Sequence, residues 1–224
     1  IFSDSFINGE FYKTSTRFSV DDPATEQSIV DVSDIDEQGV QTAIHAAKGA
    51  FVKLKATNAT ERSETLMRWY ELVIKHKQTL ATLMTKEQGK PLKESLGEID
   101  YGAGFIKWFA EQAKRSYGDV IPATDNQHRL TSYKQPIGVV AGITPWNFPV
   151  AMVTRKVAPA YAAGCSFILK PSEHTPLCAI ALAYLADQAG FVKGAFNVLV
   201  SQNAKDVGKM LTDSEVVRKF TFTG

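Results

Sequence analysis

The chain has little cysteine, no excess of charge of one sign and no long apolar run, and each shortage excludes a class of protein. Two cysteines, Cys165 and Cys178, among 224 residues make no disulfide framework, which points to a reducing compartment. That compartment is the cytoplasm, or the mitochondrial matrix in a eukaryote. Twenty-five Lys and Arg offset 24 Asp and Glu, leaving a net charge of +1, so there is no one-signed field to gather nucleic acid or anionic membrane. No apolar run approaches the roughly 20 residues needed to cross a bilayer, and nothing at the start resembles a signal peptide. His45, His76, His128 and His174 are scattered without metal-ligand spacing, so no metal is expected. The glycine fingerprint of ordinary dinucleotide folds follows none of the predicted strands. Ile1 is not an initiator residue, which predicts further chain upstream.

What is present is enough for one good core, at 44% hydrophobic and 22% charged residues,. Residues 4–31 are short apolar pieces broken by Asn8, Gly9, Asp21, Asp22 and Pro23, and read as small lead-in strands and turns. Asp34 followed by Glu37 is a capping-box pattern ahead of a helix carrying Val40, Ala43, Ile44, Ala47, Ala50, Phe51 and Leu54 at helical spacing. Thr60 with Ser63 and Glu64 starts a second helix, whose stripe from Leu66 and Trp69 through Leu80 and Met84 is stopped by Gly89 and Pro91. A third helix follows, with Leu92, Leu96, Ile99, Ala103, Ile106 and Ala110 on its apolar face.

From Tyr117 the period becomes extended, with residues 120–122 and 129–135 forming a hairpin that leaves the domain around a polar tip at 125–128. Beyond Pro136 strands and helices alternate: strand 137–143, helix 149–162, strand 166–170, helix 175–189, strand 195–200, helix 204–211 and strand 219–223. That series predicts βαβ crossovers and an α/β fold, a Rossmann-like parallel sheet of four strands with helices on both faces.

In such a sheet, ligands bind at the carboxyl ends of the strands. The first of these strands runs out into Gly142, Ile143, Thr144, Pro145, Trp146, Asn147, Phe148 and Pro149, which places an uncharged amide at the sheet edge. The second ends at Lys170 and continues through Pro171, Ser172 and Glu173. An ammonium and a carboxylate three residues apart can donate to and accept from the hydroxyls of a ribose diol. The plainer alternative is a solvated Lys170 and a Glu173 that answers a helix dipole.

These segments, together with Thr154, Arg155 and Lys156, with Ala162 to Cys165, with Glu87, Gly89, Lys90 and Pro91, and with Phe222, Thr223 and Gly224, resemble the aldehyde dehydrogenase superfamily over essentially the whole chain. Residues 143–156 are most similar to succinate-semialdehyde dehydrogenases. The resemblance implies a mechanism in which a cysteine thiolate attacks the aldehyde, the tetrahedral oxyanion collapses with hydride transfer to nicotinamide, and a glutamate-activated water hydrolyses the thioester. Asn147 matches the side-chain donor to that oxyanion, Ile143, Thr144 and Trp146 the wall along the cofactor, and Lys170 to Glu173 the positions that hold the adenosine ribose. A carboxylate there opposes a 2′-phosphate, so NAD is expected over NADP. Gly224 matches the first residue of a turn near the cofactor phosphates. Ser201, Gln202 and Asn203 stand where many relatives have a glycine-containing turn. Arg155 matches the arginine with which semialdehyde-specific members pair the substrate carboxylate, so the expected substrate is a small carboxylate-bearing aldehyde.

The family nucleophile and its glutamate fall beyond Gly224, while Cys165 and Cys178 lie in apolar surroundings and read as structural. By resemblance, residues 1–116 and 137–224 are an NAD-binding domain lacking its last strand, with the catalytic domain absent. Residues 117–136 are part of an oligomerisation hairpin of a homodimer or homotetramer. The missing strand leaves residues 219–223 as an open edge. Three functions are compatible with this chain: part of an NAD-dependent semialdehyde dehydrogenase or of a dehydrogenase for another aldehyde, a non-catalytic NAD-binding module, or an interaction protein that keeps only the fold.

Overall fold

A six-stranded mixed sheet organises the protein in the computed structural model, which describes residues 2–224; the expectation about Ile1 lies outside the described residues. The chain opens with two hairpins, β1 (Ser5–Ile7) with β2 (Glu10–Tyr12), and β3 (Arg17–Asp22) with β4 (Gln27–Ser33). Four helices follow, α1 (Glu37–Leu54), α2 (Ala59–Lys75), α3 (Lys77–Gln88) and α4 (Leu92–Ala113). A short exposed hairpin of β5 (Val120–Ile121) and β6 (Leu130–Thr131) precedes the alternating half. That half runs β7 (Val139–Ile143), α5 (Ala151–Ala162), β8 (Ser166–Lys170), α6 (Pro176–Gln188), β9 (Phe196–Val198), α7 (Ala204–Asp213) and β10 (Val217–Phe222).

The sheet order is β10-β7-β8-β9-β1-β2. Its four parallel strands are those expected, and β10 stands at an edge, as expected. The lead-in is more than that: β1 pairs antiparallel with β9 through Phe6 and Val198, so the first hairpin extends the sheet. Three-residue strands carry too little periodicity to announce this. Register sets Ile143 beside Lys170 on one side and beside Phe222 on the other. The carboxyl ends of β10, β7 and β8 therefore lie level.

Alternation along β8 serves two cores. Phe167 and Leu169 join Leu66, Trp69, Ile99, Val153 and Ile180 on one face, while Ile168 joins Ile44, Val139, Leu199 and Leu211 on the other. The Trp69 indole N–H, fully buried, donates to the Leu182 carbonyl at 3.1 Å.

Several local expectations change. Asp36, not Asp34, caps α1, accepting from the Gly39 N–H at 2.7 Å; Asp34 instead accepts from the Ser201 hydroxyl. The extended backbone at Asp36 (φ −90°, ψ 170°) is what a capping residue needs,. Asn58 with Glu61 forms the capping box of α2, in place of a start at Thr60. The expected second helix divides at His76 (φ −98°, ψ 13°), whose N–H still donates to the Leu72 carbonyl, so the apolar stripe continues into α3.

Neither α5 nor α6 caps itself with a side chain. Glu98 of α4 accepts from the Val150 and Ala151 N–H groups at 2.9 and 3.1 Å, and Glu87 of α3 accepts from those of Leu177 and Cys178 at 2.8 and 2.9 Å. Each buried carboxylate thus satisfies two otherwise orphaned donors at a helix start.

Two outcomes follow from this packing. A Cβ on Gly102 would lie 2.9 Å from Val150 Cγ1 and 3.3 Å from the Ala151 Cα, so Gly102→Val is expected to cost about 1–3 kcal/mol in urea unfolding. Burial pushes the Glu87 carboxyl up from 4.5 to about 7, against the N–H bonds that lower it. The folded state then holds this proton after the unfolded chain has released it, so the contribution is full below pH 4.5 and is lost as the pH rises to about 7,. A fall on the order of 3 kcal/mol across that window is expected in wild type and its absence in Glu87→Gln, measured by urea unfolding on either side of the window.

Candidate functional site

The level strand ends bring the sequence-predicted residues to one edge. Ile143 closes β7, and the buried Thr144 donates its N–H to the Lys170 carbonyl at 3.2 Å, which ties the two strand ends together. Thr223 donates to the Ile143 carbonyl at 3.2 Å, so Gly224 follows along the same edge. Gly142 is required here, because a Cβ would lie 2.6 Å from the Phe167 ring.

Lys170 is 1% exposed, which removes the solvated alternative. Its ammonium lies 2.8 Å from Glu173 Oε2. Burial pushes the Glu173 carboxyl up, but the hydrogen bond and charge of Lys170 outweigh it and hold it below the usual glutamate range. Pro171 and Ser172 are buried between them, and the Ser172 hydroxyl accepts from the His174 N–H at 3.3 Å. Glu173 and the half-exposed Trp146 line one cleft, with Glu87, Gln88, Thr175 and Pro23. A carboxylate open to the cleft, with the buried Lys170 ammonium behind it, and an indole wall fit a ribose diol with an adjoining flat surface,.

Asn147 sits exposed in the turn after β7, and its side-chain amide makes no hydrogen bond among the described residues. Two prolines, Pro145 and Pro149, restrict the turn, and Val150 then enters α5,.

Arg155 is exposed on α5, two turns beyond. Its guanidinium lies 5.3 Å from the centroid of the Phe105 ring, in a groove formed with Asp100, Tyr101, Trp108 and Phe109. This groove shares no lining residue with the cleft of Trp146 and Glu173. The Asn147 turn is thus flanked in the chain by residues of two separate depressions rather than set in one. Next to it, Lys156 donates to the Thr221 hydroxyl at 2.9 Å, and burial followed by the Arg155 charge lowers its pKa.

Neither cysteine is placed as a nucleophile. Both are buried, and burial together with the neighbouring Glu87 carboxylate pushes the Cys178 thiol well up,. Among the described residues no group of three His, Cys, Asp or Glu could hold a metal ion, and no helix is long and apolar enough to cross a membrane.

The structure adds residues to which the sequence assigned no role. Tyr101, Phe105 and Trp108 form the aromatic side of the Arg155 groove, and Lys90 and Glu98 meet behind the Asn147 turn. A carboxylate on an otherwise apolar helix face, as at Glu87 beside Met84 and Glu98 beside Ile99, was the available signal for the last of these.

Known proteins match both the sequence and the geometry. The chain is 52% identical over 205 residues to the mitochondrial succinate-semialdehyde dehydrogenase of Oryza sativa, covering 92% of this chain and 39% of that protein. It is 48% identical to a 3-sulfolactaldehyde dehydrogenase of Pseudomonas putida, covering 98% of this chain and 46% of that protein. A crystal structure described as an E. coli NADP dependent enzyme superposes with a TM-score of 0.97 at 47% identity, over 99% of this chain and 46% of that one. The chain therefore spans less than half the length of these relatives. The profile of the aldehyde dehydrogenase family matches residues 11–224, and with that profile, these relatives and this sheet edge in agreement, the chain belongs to the aldehyde dehydrogenase family.

Proposed function

We propose that this chain is the cofactor-binding part of a dehydrogenase that oxidises a small carboxylate-bearing aldehyde, succinate semialdehyde, to the acid with NAD. The observation that carries the reading is the convergence on one sheet edge of the pair formed by the buried Lys170 and the cleft-facing Glu173 with the uncommitted amide of Asn147. The dinucleotide, when bound, accepts the hydride. Lys170 donates to and Glu173 accepts from its ribose hydroxyls, with Trp146 as the wall of the cleft,. Ile143, Thr144, Pro171 and Ser172 shape the edge, and Gly224 leads toward the phosphates.

Asn147 donates its side-chain N–H to the oxyanion that forms when a nucleophile adds to the aldehyde. A neutral donor stabilises that developing charge without drawing an ion beforehand, and such a donor contributes roughly 10² to 10³ in rate. The thiolate and the general base are supplied by the rest of the enzyme, since the two buried cysteines of this chain are unsuited to the task. Arg155, backed by the Phe105 ring, pairs with the carboxylate of the substrate,. The exposed β5–β6 hairpin, with Tyr117, Val120 and Tyr133 uncovered, joins copies of the enzyme into a homo-oligomer, and β10 receives a further strand,.

The P. putida relative, named for a sulfonated aldehyde, makes a second anionic substrate worth measuring, because a guanidinium fork can donate to two oxygens of a sulfonate as it does to those of a carboxylate. In the full-length enzyme, Arg155→Ala is expected to lower kcat/KM for succinate semialdehyde by about 10- to 100-fold, the worth of one charged hydrogen-bonded pair. The loss on an uncharged aldehyde of similar length is expected to be much smaller, and equal losses on both remove the carboxylate role. Glu173→Gln is expected to raise the NADP-to-NAD ratio of kcat/KM by about tenfold or more, since a unit charge facing a 2′-phosphate about 4 Å away is unfavourable by roughly 4 kcal/mol at an effective dielectric of 20. An unchanged ratio places Glu173 away from the ribose.

A further inference from the structure

One lysine that lines neither depression connects the Asn147 turn to the helices behind it. Lys90 follows α3, and its side chain is only 10% exposed. Its ammonium contacts three groups at once: Glu98 Oε2 at 2.5 Å, the Asn147 main-chain carbonyl at 2.8 Å, and the face of Phe148 at 4.4 Å from the ring centroid. Glu98, 2% exposed, commits its other oxygen to the Val150 and Ala151 N–H groups. The path from Val150 through Glu98 and Lys90 to Asn147 closes a ring around the turn, holding both its exit into α5 and the main chain of Asn147 itself. Trp146, Asn147 and Phe148 are all exposed, and the Asn147 amide makes no hydrogen bond among the described residues, so the aim of that amide depends on what grips its backbone.

We propose that Lys90 is the positioning residue of the Asn147 turn, a role that rests on Asn147 being the oxyanion donor proposed above. A lysine suits the task because an ammonium has three donors and can serve a carboxylate, a carbonyl and a ring face together. Lys90 lines neither the cleft of Trp146 and Glu173 nor the Arg155 groove; it acts through the angle and depth of the Asn147 donor. Misplacing a catalytic group by about 1 Å can cost about 10²-fold in rate, so the effect belongs in kcat.

Removing either partner alone strands a charge, so Lys90→Met and Glu98→Gln are made together in the full-length enzyme and compared with wild type; in the double variant the amide oxygen still accepts from the α5 N–H groups and neither charge remains. The Lys90→Met/Glu98→Gln pair is expected to lower kcat for aldehyde oxidation by about 10²-fold relative to wild type, with the KM for the dinucleotide changed by less than about threefold. With Asn147→Ala as the starting point, the same pair of substitutions is expected to lower kcat by less than about threefold, because its target is already gone. Losses of equal size with and without Asn147, no loss of kcat, or a loss confined to the dinucleotide KM each overturn the proposal. Should the Met variant fail to give a cooperative thermal melt, Lys90→Arg in the same two Asn147 backgrounds gives the same comparison, coupled losses supporting the role and additive ones overturning it. A wild-type full-length enzyme without dinucleotide-dependent aldehyde oxidation refutes the functional reading and this role together, whereas an active wild type with additive losses refutes only the role of Lys90.

Discussion

The constraint on which the rest depends is that two helices begin inside the protein without side-chain caps of their own. α5 and α6 each leave a strand end at the carboxyl edge of the sheet, where water cannot serve their first N–H groups,. Glu98 and Glu87 serve them instead, one carboxylate per helix, delivered from α4 and α3. Each bond fixes where a helix starts, and hence where the preceding strand end must turn. The turn after β7 carries Asn147 and the loop after β8 carries Glu173, so the two carboxylates that satisfy the helices also set the candidate site.

Charge at the edge is arranged in the same economical way. The buried ammonium of Lys170 faces Glu173, and the partly buried one of Lys90 faces the buried Glu98, so each has a carboxylate within hydrogen-bond distance. Pairs with one buried member add little net stability, but stranding that buried charge is costly, which holds the partner in place. Between the two pairs the turn presents a neutral amide. A neutral donor flanked by compensated charges has no reason to recruit an ion from solvent, which suits the oxyanion role proposed for Asn147. Arg155 differs: it is exposed, lies over the Phe105 ring and pairs with no carboxylate among the described residues, which suits the substrate role proposed for it.

The alternating half of the chain was readable because each element there is long enough to show its period, from Val139 through Phe222,. The first hairpin was not readable as part of the sheet, since strands as short as Ser5–Ile7 and Glu10–Tyr12 carry no repeat and their partner, β9, lies far along the chain. The division at His76 was hidden for the opposite reason: the apolar stripe runs unbroken across it. Asp34 and Asp36 are chemically equivalent cap candidates, and only the extended backbone at Asp36 separates them,. At the site, Lys170 and Glu173 stood three residues apart and their pairing could be anticipated, whereas the burial of Lys170 could not.

Local chemistry along the chain was therefore enough for the parallel α/β sheet, for the strand-end turn with its amide, and for the ammonium and carboxylate beside it. Those features depend on residues close in sequence, and periodicity or spacing reports them directly. Which carboxylates cap α5 and α6, what Lys90 holds, and that Arg155 opens onto a different depression from Glu173 had to wait for the folded chain. Val150 lies 52 residues from Glu98 and Leu177 lies 90 from Glu87. A buried polar group must find a partner wherever the packing brings one, and no local pattern records contacts across that separation.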